Sequence, residues 1–139
     1  MTSAASLPIL RTVLVVLAAY HLGIGVLSVA SLRVTARVTA TFYGLSVAES
    51  APLRYAVRML GLYALALGTL LSLAALAPAT HRDVIIVVAG LQLARAVCRL
   101  LLHNELATAF KLPLRRNVFN AVLLVGEAAL LFVCLPVAP

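Results

Sequence analysis

Four long apolar runs, separated by short polar and mostly basic connections, make up nearly the whole chain: about 12–32, 56–77, 84–103 and 118–135. Each is close to the roughly 20 residues a helix needs to cross about 30 Å of hydrocarbon. The pattern predicts an all-α integral membrane protein, an antiparallel four-helix bundle forming a single transmembrane domain over residues 1–139. The connection PATHRD between the second and third runs is so short that those spans must be antiparallel neighbours. The longest connection is Arg33–Leu53. In it Arg33 and Arg37 lie one helical turn apart, and Val34, Val38, Phe42 and Leu45 fall on another face. It reads either as a short helix lying in the membrane interface and ended by Gly44, or as a solvated connector. Its acid, Glu49, is placed to pair with Arg54 or Arg58. Ser50 and Pro52 mark the entry to the second span, Thr80 or Asp83 can cap the third, and Pro113 begins the fourth or ends the basic connection Asn104–Asn117.

Composition strengthens this reading. Of the residues, 64% are hydrophobic and 11% charged, a balance that a soluble domain of 139 residues could not bury. The first run follows a short basic segment, as in a signal peptide, but it exceeds the usual apolar length of about 7–15 residues and contains Tyr20 and His21, so it reads as a retained span. The net charge of +7 does not point to nucleic acid, because the basic residues flank the spans. Arg33, Arg37, Arg54, Arg58, Arg99, Lys111, Arg115 and Arg116 fall on one side, and only Arg11 and Arg82 on the other, with Arg95 near the middle. Lys and Arg gather in cytoplasmic loops. The segments 33–54 and 104–117 are therefore expected inside and both termini outside, with the basic face attracted to anionic lipid. Cys98 and Cys134 lie at depths too different for a disulfide.

The candidate chemistry is in the polar positions of the apolar runs. In the third, Gln92, Arg95, Arg99 and His103 follow at steps of three, four and four residues, which puts them on one helical stripe. Such groups at membrane depth are costly and face a bundle interior, a wet cavity or a partner charge. Arg95 and Glu127 fall at nearly the same depth, as does His21, so a direct Arg95–Glu127 pair is expected, with His21 and Gln92 completing its hydrogen bonds. A lone mid-membrane His has three readings: glue between helices, proton relay, or metal or haem ligand. His81 and His103 lie toward opposite faces, which excludes a two-histidine haem site within one chain, and no ligand cluster supports zinc. Arg58 either snorkels to the interface or turns inward, and Tyr63 lies one turn deeper. Gly23, Gly25, Gly61, Gly68 and Gly126 are candidate sites of close helix approach. Phosphate-loop and hydrolase motifs are absent.

The order of short motifs carries a resemblance. A span with GxG at Gly23 and Gly25 is followed by FYGLSVAESAPLRYAVRMLGLYALALG, then GLQLARAVCRLL, then a last span with VGEAALL. Tyr43 with Gly44, Arg58 with Gly61 and Tyr63, Gly90 with Arg95, and Glu127 are similar to features of the DoxX-like superfamily of small four-helix membrane proteins, especially a branch known only as a domain of unknown function. The resemblance implies a four-helix bundle in a bacterial inner membrane. Some DoxX-like proteins are membrane subunits of sulfur- or quinone-linked oxidoreductases; no residue here carries that redox activity over.

The functional expectation is a non-enzymatic inner-membrane protein without a cofactor. It would act as an accessory or scaffold subunit, or bind a lipid-like or quinone-like molecule through His21, Arg58, Tyr63, Gln92, Arg95, Arg99 and Glu127. Its partners would be membrane lipid and, in some readings, a second copy or another membrane protein, with no role for nucleic acid. The alternatives are a small oligomeric anion or proton transporter, with the small-residue face of span two as subunit contact, and a membrane subunit of an oxidoreductase. On the purely structural reading, the charge network only fixes which helices touch.

Overall fold

The computed structural model describes residues 6–43 and 50–136. Its six helices are α1 (Ser6–Ala30), α2 (Leu32–Tyr43), α3 (Ala51–Leu76), α4 (Arg82–Leu101), α5 (His103–Phe110) and α6 (Leu114–Val133). Among the described residues there is no strand. The four long helices α1, α3, α4 and α6 are long and apolar enough to cross a membrane. Only 28–33% of the most apolar stretch of each is buried inside the bundle, so lipid must solvate the rest. The chain is a small multi-pass membrane protein.

Local signals account for the helix ends. Ser50 caps α3, its Oγ accepting from Leu53 N–H at 3.3 Å, and Pro52 sits in the first turn, where no N–H is needed. Pro113 stands immediately before α6, ending the connection. At α4 the expected cap by Thr80 or Asp83 is not made: His81 holds the N-cap position without a side-chain hydrogen bond, and Asp83 lies inside the first turn, where its charge complements the helix dipole. Each long helix starts earlier than its apolar run, by two to six residues, because arginines such as Arg11, Arg54, Arg82, Arg115 and Arg116 are good helix formers although they end an apolar run. The third run, 84–103, with its expected stripe from Gln92 to His103, is likewise not one helix: α4 stops at Leu101 and His103 opens α5.

The order long–short–long occurs twice, α1–α2–α3 and α4–α5–α6, and within each unit the two long helices pack as a hairpin. In the first hairpin α1 and α3 approach through glycine. A Cβ on Gly25 would lie 2.9 Å from the Gly61 carbonyl oxygen, and one on Gly68 would lie 2.9 Å from the Leu22 backbone nitrogen. Gly23 and Gly126 have open space around them and are not packing positions. The small-residue face of α3 is thus occupied by α1 and is not left for a second subunit. In the second hairpin α4 and α6 bury Ala89, Ala96, Ala121 and Ala128 together with Gln92, Asn117 and Asn120. Asn117 is fully buried and donates from Nδ2 to the Arg99 carbonyl at 2.7 Å, satisfying an otherwise orphaned acceptor in the last turn of α4.

The two hairpins meet in one continuous apolar core confined to the end that carries the α3–α4 turn. Leu10, Leu14 and Leu17 of α1 close on Leu71, Ile85, Val88 and Leu131 there. The core does not extend to the opposite, basic end, where α2 and α5 lie. Arg116 of α6 donates to the Thr41 carbonyl of α2, tying the hairpins at that end. The face of α2 turned to the bundle carries Thr35, which is buried, while Val34 is exposed. The expected stop at Gly44, the Phe42 and Leu45 side chains and the Glu49 pairing fall outside what is described.

Candidate functional site

Beside the apolar core, a cavity of about 240 Å³ opens between α1, α4 and α6. Its polar wall is Tyr20, His21, Gln92, Arg95, Arg99, Asn120 and Glu127, and its apolar wall is Val16, Leu17, Leu123 and Leu124. A second crevice of about 480 Å³ lies on the other side, between α1, α3 and α4. Tyr20, His21 and Arg95 line both, so they stand at the junction of the two spaces.

The geometry corrects the expected ion pair. Arg95 and Glu127 do not pair directly; Gln92 stands between them. Its Nε2 donates to Glu127 Oε2 at 2.5 Å, and its Oε1 accepts from Arg95 Nη1 at 3.0 Å. An amide suits this position, because it offers a donor and an acceptor from one planar group. The arrangement follows from helical spacing. Gln92 and Arg95 are three residues apart on α4 and therefore neighbours, while α6 brings Glu127 across the hairpin. Gln92 is 2% exposed, and the two charges it links are half-buried.

His21 does not join this network as expected. It is 6% exposed, and its Nδ1 lies 2.8 Å from the Leu17 carbonyl one turn back on α1. A carbonyl can only accept, so Nδ1 carries the proton and Nε2 is the acceptor nitrogen of the neutral ring. Tyr20 packs edge-on against the imidazole, with ring centroids 5.0 Å apart.

Of the residues expected at the site, His21, Gln92, Arg95, Arg99 and Glu127 converge on the first cavity. Tyr63 lines only the second and is largely exposed, and Arg58 is exposed and lines neither. His103 has left the α4 stripe and stands 3.5 Å from Asn117 Nδ2. Two polar residues of the wall were not expected: Tyr20 and Asn120. Asn120 is 8% exposed, and its Nδ2 is buried without a hydrogen-bond partner among the described residues. The sequence did hold a signal for it. Asn117, Asn120 and Glu127 follow at steps of three and seven, the same one-face spacing that marks the polar stripe of α4.

Chemically the cavity presents N–H donors from Arg95 and Asn120 beside acceptors on Glu127 and His21, under an apolar roof. Among the described residues no group of three or more His, Cys, Asp or Glu side chains comes together to hold a metal. Cys98 is exposed and Cys134 buried, each as a free thiol. Comparison of the chain with family models, with curated proteins and with solved structures finds no match.

Proposed function

We propose that this is a bacterial inner-membrane protein, basic end in the cytoplasm, that binds the polar head of a lipid-like or quinone-like molecule in the cavity between its hairpins. The DoxX-like resemblance belongs to the same proposal. One observation carries the reading: Asn120 brings an unpartnered, buried amide N–H to the wall that also holds Arg95. An unsatisfied buried donor costs about 1–3 kcal/mol. A carbonyl or phosphoryl oxygen seated between the two residues would relieve that cost, and the leucines and Val16 opposite suit a ring or chain. Gln92 holds the Arg95 and Glu127 side chains in fixed positions, so the site is organised before a ligand arrives.

The transport alternative has an obstacle in the core. Leu14, Leu71, Ile85 and Leu131, each fully buried, close the end beyond the cavity, so a through-path would need that packing to open. The accessory-subunit and oxidoreductase readings have no observation of their own to favour them.

The test is purification in mild detergent, followed by mass analysis of extracted small molecules and by thermal shift with a short-chain benzoquinone and a lysophospholipid as probes. The wild type is expected to retain a small molecule or to be stabilised by one probe. Asn120→Leu and Arg95→Gln should each abolish the effect, while the lipid-facing change Val122→Ala leaves it intact. A wild type that retains nothing and responds to neither probe contradicts the proposal.

A further inference from the structure

A separate groove of about 290 Å³ lies under α2 at the basic end, outside the polar cavity. Its walls are almost wholly apolar. The threonines that line it make no demand on a ligand, since Thr35 and Thr39 donate their hydroxyls at 3.0 Å to the carbonyls four residues back, of Ser31 and Thr35. The rim has the opposite character. Five of the lining residues, Leu32, Ala36, Leu53, Val57 and Phe110, are each followed in the chain by a cation: Arg33, Arg37, Arg54, Arg58 and Lys111. All five cations are exposed. The next residue on a helix is turned about 100° from its neighbour, which sets the four arginines on the shoulder of the groove, while Lys111 follows the last residue of α5. The acids among the described residues do not offset them, and Glu49, which lies outside those residues, is one carboxylate against five cations. Asp83 lies at the other end, Glu127 is bonded to Gln92, and on α5 there is Glu105 alone.

We propose that this groove takes one acyl chain of an anionic phospholipid, whose phosphate is held by the basic rim. Charge complementarity identifies the occupant: an apolar slot edged with guanidinium groups, in a protein whose solvent is lipid, fits an amphiphile with a negative head. Phe110 comes from the second hairpin and the other nine lining residues from the first. A lipid seated there bridges the hairpins at the end where their own core does not reach.

The test is native mass spectrometry of the full chain in detergent, with phosphatidylglycerol and phosphatidylcholine of identical chains added in turn. The wild type is expected to retain one phosphatidylglycerol in preference to phosphatidylcholine. Replacing Arg33, Arg37, Arg54 and Arg58 together by Gln should lower that preference by about tenfold or more, because each basic residue near the surface attracts an anionic head. Ala36→Trp, which fills the groove, should abolish retention, whereas Arg115→Gln, a change at the same end but away from the groove, should not. Equal retention of the two lipids overturns the proposal, as does an unchanged Ala36→Trp or an Arg115→Gln loss as large as that of the fourfold variant. Should Ala36→Trp fail to fold, the wild type decides the matter: deacylated glycerophosphoglycerol must fail to displace the lipid, and full displacement rules out a tail groove.

Discussion

Gln92 is the residue on which the polar interior turns. Arg95 and Glu127 in direct contact would be a buried ion pair, whose desolvation is hard to repay. With an amide between them each charge keeps a hydrogen bond, and Arg95 lines the cavity with the rest of its guanidinium. Gln92→Leu keeps the volume and removes both bonds. It is expected to lower stability in detergent by about 1–2 kcal/mol, measured by thermal unfolding; no change would mean that the bridge does not form. The sequence showed that these groups share a depth, since hydropathy sets depth. It could not show which pair would touch, because side-chain rotation and the spacing between α4 and α6 decide that. His21 illustrates the same limit: its depth was legible, but its bond to its own helix at Leu17 was not.

At the scale of the helices, the two hairpins are held by different means. Glycines let α1 and α3 approach almost backbone to backbone, whereas α4 and α6 use alanines and amides. Gly68→Ala is expected to push α1 and α3 apart and cost about 1–3 kcal/mol by overpacking. Gly23→Ala or Gly126→Ala, in open space, should be neutral or stabilise by up to about 1 kcal/mol. Thermal unfolding of the three variants side by side checks this, and equal losses would contradict the assigned packing. The sequence marked all these glycines as small residues in a span, and only three-dimensional contact separates the packed from the open ones. The short helix α2 was one of two readings for its segment. The helix α5 was not anticipated at all, because eight residues give too few turns for a periodic signal.

Across the whole molecule, the repeated long–short–long order explains why the interior divides into a dry half and a polar half. Hairpins joined by one short turn are pinned together at that end, where Leu14, Leu71, Ile85 and Leu131 fill the space. At the other end the link from Arg116 to Thr41 ties them, and the cavity lies between the two fastenings. The charge asymmetry predicts that this basic end is cytoplasmic. A C-terminal alkaline phosphatase fusion should therefore be active and a C-terminal green fluorescent protein fusion dark; the reverse result would invert the topology. The convergence of α4 and α6 on one amide bridge at mid-membrane is the claim on which the site depends. Gln92 is the sole glutamine in the chain, so a side-chain nitrogen label on glutamine reports from one position. In bilayers, solid-state NMR dephasing between that nitrogen and labelled glutamate carboxyl carbons should show a strong dipolar coupling, as a hydrogen-bonded contact with Glu127 requires. A glutamine signal that shows no dephasing would place the carboxylate elsewhere and contradict the account.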